Sequence, residues 1–237
     1  MKQFAIIGLG VFGRRMLEEL KGLDAEVLLI DKDAEVVEAF KDAVKLAYVA
    51  NALDEEVIRR LVPESIGAAI IDLGDQLEAS ILVVNYLKKM GVANILVKAE
   101  SDQHGEILRI VGATRVIFPD REAAKRVVPM LVSSTITSFL PLGGDFVIAE
   151  VKPPERYFGK TLIEANLRTE HGVNVIAVRR GDGEDYSFFT PAYRILAGDV
   201  LLVAGMEEDI ANFGGITPPS KRKAPGAVSR FLSWLKQ

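Results

Sequence analysis

The chain has 237 residues, 49% hydrophobic and 26% charged, with no cysteine and a formal net charge of −4 at pH 7. That length and apolar content give one large or two small domains with a real core and exclude overall disorder. The lack of cysteine excludes disulfides, thiolate metal sites and cysteine nucleophiles and fits a reducing cytoplasm, while the acidic balance argues against nucleic acid as a partner.

The chain opens on MKQFAIIGLGVFG, an apolar run too short and too glycine-broken for a signal peptide, so folded structure is expected from the start. No apolar run reaches the ~18 residues of a membrane-spanning helix. From Lys2 to Phe118, short β-branched runs alternate with amphipathic stretches, the pattern of βαβ units around a parallel sheet. Strands are predicted over 4–8, 26–31, 45–50, 68–73, 94–98 and 115–118, with helices starting near Val11, Asp33, Asp54, Asp75 and Ser101, several on a residue able to cap the first turn. Right-handed crossovers make this a Rossmann-like, doubly wound layer. A long helix is then expected over 120–139, ending near Pro141 and the Gly143-Gly144-Asp145 turn signal.

Beyond a boundary near Ser138, strands are expected over 146–151, 173–179, 187–189 and 199–203, a helix over 161–170, and a hairpin-type turn at Gly181-Asp182-Gly183. This predicts three segments: a nucleotide-binding domain over 1–138, a smaller α+β domain over 139–216, and a basic, proline-rich linker with a short apolar helix over 217–237. In that tail Val228, Phe231, Leu232 and Leu235 share one helical face beside Trp234, suited either to a membrane or partner contact or to packing back on the fold.

The chemistry concentrates at the first strand end. Gly8, Gly10 and Gly13 form GxGxxG between a strand and a helix: the first glycine for a tight turn, the second for close approach of backbone amides to a pyrophosphate, the third for helix packing on the strand. Asp31 follows about 20 residues later, placed to accept ribose hydroxyls or to cap the next helix. Val11, Phe12, Lys32 and Leu73 flank the same crevice; Asn51 and Ala52 end the third strand, Gly74 follows the fourth, and Lys98 ends the fifth, where it can meet phosphate or pair with a carboxylate. The only two histidines, His104 and His171, have no acidic neighbour at metal-ligand spacing and read as surface residues.

The segments GLGVFG, LLIDKD, YVANA, AAIIDLGD, ILVKAES and IVGATRVIFPDREAA resemble the nucleotide-binding domain of the KTN/RCK family, and FVIAEVKPPERYFGKTLIEANLRTEHGVNVIAVRR with LAGDVLLV resembles its C-terminal RCK domain. The resemblance is to cytosolic regulatory subunits of Ktr/Trk-type potassium uptake systems. It implies a dimer or ring, an adenine nucleotide (ATP or ADP, alternatively NAD(H)) in the first domain, and gating of a membrane potassium channel or transporter subunit from the inner face of the cell membrane. The family pattern assigns the nucleotide contacts to Gly8, Gly10, Gly13, Asp31, Asn51, Ala52, Gly74 and Lys98, and implies a divalent cation near Asp120 and a cyclic dinucleotide at Arg168 and Pro191. Two departures stand out. Val11 occupies the place of a phosphate-reaching arginine, which Arg14 or Arg15 could replace, and Asp72 is a carboxylate where a small apolar residue is expected, either a hydrogen-bonding site edge or a solvated strand end. An NAD(P)-dependent oxidoreductase is the alternative, but the second domain supplies no cysteine, and no histidine or acid–base pair suited to hydride transfer.

Overall fold

The structure, a computed structural model, describes residues 2–23, 25–181, 183 and 185–216. The chain divides into two units, the first ending at Asp120 and the second starting at Arg121. The linker and apolar helix expected over 217–237 lie outside the described residues, as does Asp182 of the expected hairpin turn.

Six strands build the first unit: β1 (Lys2–Ile7), β2 (Ala25–Asp31), β3 (Leu46–Val49), β4 (Ala68–Ile71), β5 (Ile95–Lys98) and β6 (Arg115–Ile117), all parallel, in the order β3-β2-β1-β4-β5-β6. Because side chains alternate across a strand, each register row buries one face. Ile6 lies beside Leu29 and Ile70, and this row packs with Leu17 and Leu20 of α1 (Val11–Lys21), with Val36 of α2 (Ala34–Phe40) at its edge. The next row, Ile7 with Ile30 and Ile71, packs on the other side with Ile58 of α3 (Glu55–Leu61), Val83, Val84 and Leu87 of α4 (Leu77–Lys89) and Leu108 of α5 (Asp102–Val111). Helices on both faces explain why the strands read as unbroken apolar runs. Asp33 and Asp54 cap α2 and α3, and Ser101 caps α5 through the His104 amide, as the sequence leads one to expect. α4 begins two residues later than expected, with Gln76 as an N-cap that makes no capping bond.

The second unit contains nearly all of α6 (Pro119–Val132), then β7 (Ile136–Gly143), β8 (Phe146–Val151), α7 (Leu162–Ala165), α8 (Leu167–His171), β9 (Asn174–Arg180), β10 (Asp199–Met206) and α9 (Glu207–Phe213). Its sheet is antiparallel, ordered β7-β8-β10-β9, over a core that includes Phe139, Val151, Tyr157, Ile195, Leu201 and Phe213. The helix expected over 120–139 ends at Val132, and the remainder is strand. The hydroxyl of Ser133 accepts the amides of Thr135 (3.1 Å) and Ile136 (3.2 Å) and donates to the Gly214 carbonyl (2.7 Å), which turns the chain; Ile136 and Phe139 then enter the core. Pro141 is accommodated because β7 is an edge strand. The helix expected over 161–170 is two short helices broken at Asn166, whose φ is +45°. The expected strand 187–189 is reduced to a bridge between Ser187 and Val178.

Candidate functional site

In an open α/β sheet a ligand binds at the carboxyl ends of the strands where the strand order reverses, here between β1 and β4. A cleft of about 250 Å³ lies there. Gly8, Gly10, Asp31, Lys32, Asn51, Ala52, Leu73 and Gly74 line it. Leu9, Asp33, Gln76 and Asp72 also line it, the last at the site edge that is one of its two readings.

The loop glycines are required for different reasons. Gly8 has φ +81°, and a Cβ there would lie 2.3 Å from the Asp72 carbonyl oxygen, so the tight turn and the neighbouring strand both demand glycine. A Cβ on Gly13 would fall 2.8 Å from the Gly8 carbonyl, as close packing of helix on strand requires. Gly10 differs from expectation: its Cβ would meet not open cleft but the Asp72 carboxylate, 2.4 Å from Oδ2. The Asp72 side chain therefore fills the space beneath the loop, and the Gly13 amide donates to Oδ2 at 2.8 Å. Asp72 is 2% exposed, which overturns its reading as a solvated strand end, and its Oδ1 has no hydrogen-bond partner.

Asp31 ends β2 and draws the loop toward it. Its Oδ2 accepts the Leu9 amide at 2.7 Å and its Oδ1 the Asp33 amide at 2.9 Å. Each oxygen keeps a second lone pair, so ribose hydroxyls can still donate to it. Asn51 Oδ1 accepts the Leu53 amide (3.1 Å), leaving its amide donors as what it can offer a ligand. The amides of Val11 and Phe12, in the first turn of α1, have no acceptor within the helix, which suits an anion. Val11 is 80% exposed and Phe12 packs on the core beside α1, so their side chains stand outside the cleft lining.

Lys98 also stands outside the lining. Its ammonium bonds Glu100 at 2.9 Å and lies 3.9 Å from Asp72 Oδ1. The Glu100 bond, with Asp72 and Asp120 adding, outweighs partial burial and raises its pKa above the ordinary lysine value. Neither arginine of α1 serves the cleft: Arg14 donates to the Leu9 carbonyl (3.0 Å) and stacks over Phe40, and Arg15 pairs with Glu18. Asp120 is exposed near the start of α6 and does not line the cleft; among the described residues no group of three or more histidine, aspartate or glutamate side chains could hold a metal ion. In the second unit Arg168 and Pro191 are both exposed.

The histidines are not surface residues. His104 is 4% exposed; its Nδ1 accepts the Glu100 amide (3.3 Å), so Nε2 carries the proton and donates to Ser80 Oγ (2.8 Å), which donates to the Leu77 carbonyl (2.7 Å). Burial lowers its pKa below the ordinary value, against the field of Glu100. His171 is half-buried, bonded to the Tyr157 hydroxyl and edge-on to its ring.

Residues 4–119 match the TrkA-N domain and residues 146–214 the TrkA-C domain. The chain is similar to Ktr system potassium uptake protein C of Bacillus subtilis (strain 168), 32% identical over 212 residues, covering 90% of this chain and 96% of that one. It is likewise similar to Ktr system potassium uptake protein A of Vibrio alginolyticus, 32% identical over 211 residues, covering 89% and 96%. Among solved structures, the GsuK channel superposes with a TM-score of 0.64 at 18% identity, and the GsuK channel bound to NAD with 0.63 at 18%. These cover 92% and 93% of this chain, which spans only 40% of the length of either, and they establish the fold.

Proposed function

The chain belongs to the family that joins a TrkA-N to a TrkA-C domain, shared with the Ktr potassium uptake proteins, and from that membership we propose that it is a regulatory subunit, not an enzyme, which binds an adenine nucleotide and thereby controls a potassium-conducting membrane subunit. The observation that carries the nucleotide is the cleft at the β1/β4 switch point, roofed by a glycine turn, with unpaired helix amides at one end and Asp31 and Asn51 at the other. In this reading Gly10, Val11 and Phe12 offer backbone N–H groups to phosphate, Asp31 accepts ribose hydroxyls, and Asn51, Ala52, Leu73 and Gly74 border the base and sugar. At about 250 Å³ the cleft encloses a nucleoside and leaves the rest of a longer ligand over the loop.

The regulatory reading is supported over the oxidoreductase by the cleft's lining, which includes no histidine, while His104 is committed to Ser80 and Glu100. A sensor needs only two arrangements of the assembled subunits with unequal affinity for the ligand; the difference in affinity drives the gate. The assembly is a closed ring of copies of this chain on the inner face of the membrane. Among the described residues no helix is long and apolar enough to cross a membrane, and in this reading conduction belongs to a separate subunit. A divalent cation held between Asp120 of a neighbouring copy and the nucleotide phosphates belongs to the same reading, and Asp120→Asn should then weaken nucleotide binding only when the cation is present.

Thermal melts with NAD⁺, NADH, ADP and ATP test the reading. A ligand at 100 times its Kd stabilises by about 2.7 kcal/mol, a readily measured rise in Tm. No shift with any of the four would overturn the nucleotide site, and light scattering that returned the 25.9 kDa monomer at micromolar concentration would overturn the ring.

A further inference from the structure

Asp72 is the one buried charged side chain lining the cleft, and the reading above leaves it unused. Its Oδ2 accepts the amide of Gly13, the third residue of α1, so it caps the helix from 59 residues away; the N-cap residue itself, Gly10, has no side chain to do so. A helix N-terminus carries a partial positive charge and attracts anions. Here the protein has placed its own full negative charge at that end, shielded from water and pressed against Gly10. Little offsets it. The nearest ammonium, Lys98, is 3.9 Å from Oδ1 and closer to Glu100, Arg14 is turned onto the Leu9 carbonyl, and Lys32 bonds Gln76 (3.2 Å). The titratable side chains lining the cleft are three carboxylates, Asp31, Asp33 and Asp72, against the single ammonium of Lys32.

We propose that Asp72 is a specificity-determining residue: a built-in anion at the N-terminus of α1 that makes the cleft select ligands whose pyrophosphate is esterified at both ends, each phosphate bearing one charge, over ligands ending in a free terminal phosphate. The chemical class selected is a dinucleotide joined by a pyrophosphate; the class rejected is a nucleoside triphosphate. The physical cause is like-charge repulsion in a site that water screens poorly, and it grows with each charge the ligand brings to the loop. The inference rests on the proposed nucleotide site.

The test is calorimetric titration of the full chain with NAD⁺ and ATP in EDTA. The wild-type protein should bind NAD⁺ at least tenfold more tightly than ATP. Asp72→Asn, which keeps an oxygen for the Gly13 amide and removes only the charge, should narrow that ratio about tenfold by tightening ATP, and Asp72→Ala, which also frees the Gly13 amide, should narrow it further. If Asp72 is merely a structural cap, both ligands weaken together and the ratio holds, which overturns the proposal. Should the variants not fold, the wild-type ratio decides: ATP bound as tightly as NAD⁺ overturns it. Wild-type protein that binds neither ligand refutes the nucleotide site itself, and the proposal with it.

Discussion

Among the described residues each unit withdraws one carboxylate from water to the same degree, Asp72 in the first and Asp199 in the second, both 2% exposed, yet the two are used differently. Asp199 Oδ2 accepts the Tyr193 hydroxyl (2.9 Å) and the Leu196 amide (2.8 Å), so it closes the turn into β10 and is spent on the fold. Asp72 accepts one amide, leaves Oδ1 without a hydrogen bond and borders an open cleft. Burial alone therefore does not separate a structural carboxylate from a functional one. The tally of partners does, because an unmade hydrogen bond in the interior is a cost that persists only where something else requires the group.

The contrast breaks most sharply at the glycines. Gly8 in the first unit and Gly181 in the second both have positive φ, but a Cβ on Gly8 meets the Asp72 carbonyl at 2.3 Å while one on Gly181 meets nothing within 4 Å. Gly8→Ala should lower stability by about 4 kcal/mol, strain and overpacking combined, and abolish nucleotide-dependent thermal shifts. Gly181→Ala should lower it by about 1 kcal/mol and leave those shifts in place. Urea denaturation and ligand melts on the two variants measure both.

Next come the carboxylates themselves. Asp199→Ala leaves two donors without an acceptor and should destabilise by about 3 kcal/mol; Asp72→Ala strands one amide but also removes an oxygen without a hydrogen bond, and should destabilise by about 1 kcal/mol or less. A shift in urea midpoint at constant m reads the difference. Equal losses would make Asp72 as structural as Asp199.

A smaller, pH-dependent effect belongs to the first unit. Because burial lowers the pKa of His104 below its ordinary 6.5, the unfolded chain takes up the proton first as pH falls. Its contribution to stability is thus complete above pH 6.5 and is lost as pH drops below that value, by at most about 1.4 kcal/mol per pH unit, until the folded-state pKa is passed. His104→Gln should flatten the fall in stability between pH 7 and pH 5, as followed by urea denaturation at stepped pH; an unchanged slope would assign the fall to carboxylates alone.

The smallest expected effects are at the caps. Asp33 accepts the Glu35 amide at 2.9 Å, and Thr161 forms a reciprocal capping box with Glu164. Asp33→Ala and Thr161→Ala should each cost about 1 kcal/mol, so caps in the two units are equivalent where buried carboxylates are not.

The first unit was legible almost to the residue because its signals are local. Apolar runs bounded by caps at Asp33, Asp54 and Ser101 specify strand and helix over a few residues each, and the glycine turn with Asp31 marks the cleft at the strand ends. The second unit was read less well. Its helix at 120–139 proved to be helix then strand, because the turn at Ser133 depends on the Gly214 carbonyl, 81 residues later. A short amphipathic stretch such as α9 carries too little periodicity to announce itself.

By itself the sequence determined the two-part α/β and α+β architecture, the parallel direction of the strands in the first sheet and the identity of the cleft's glycine loop, all of which follow from periodicity, turn chemistry and chain handedness. Only the tertiary structure decided what each polar group does there. Asp72 comes to lie under Gly10 because β4 pairs beside β1, Lys98 turns to Glu100 instead of the cleft, and His104 is sealed between α4 and α5. Those outcomes depend on which strands become neighbours, and a charge's partner is set by proximity in space, which a chain of residues taken in order does not encode at any one position.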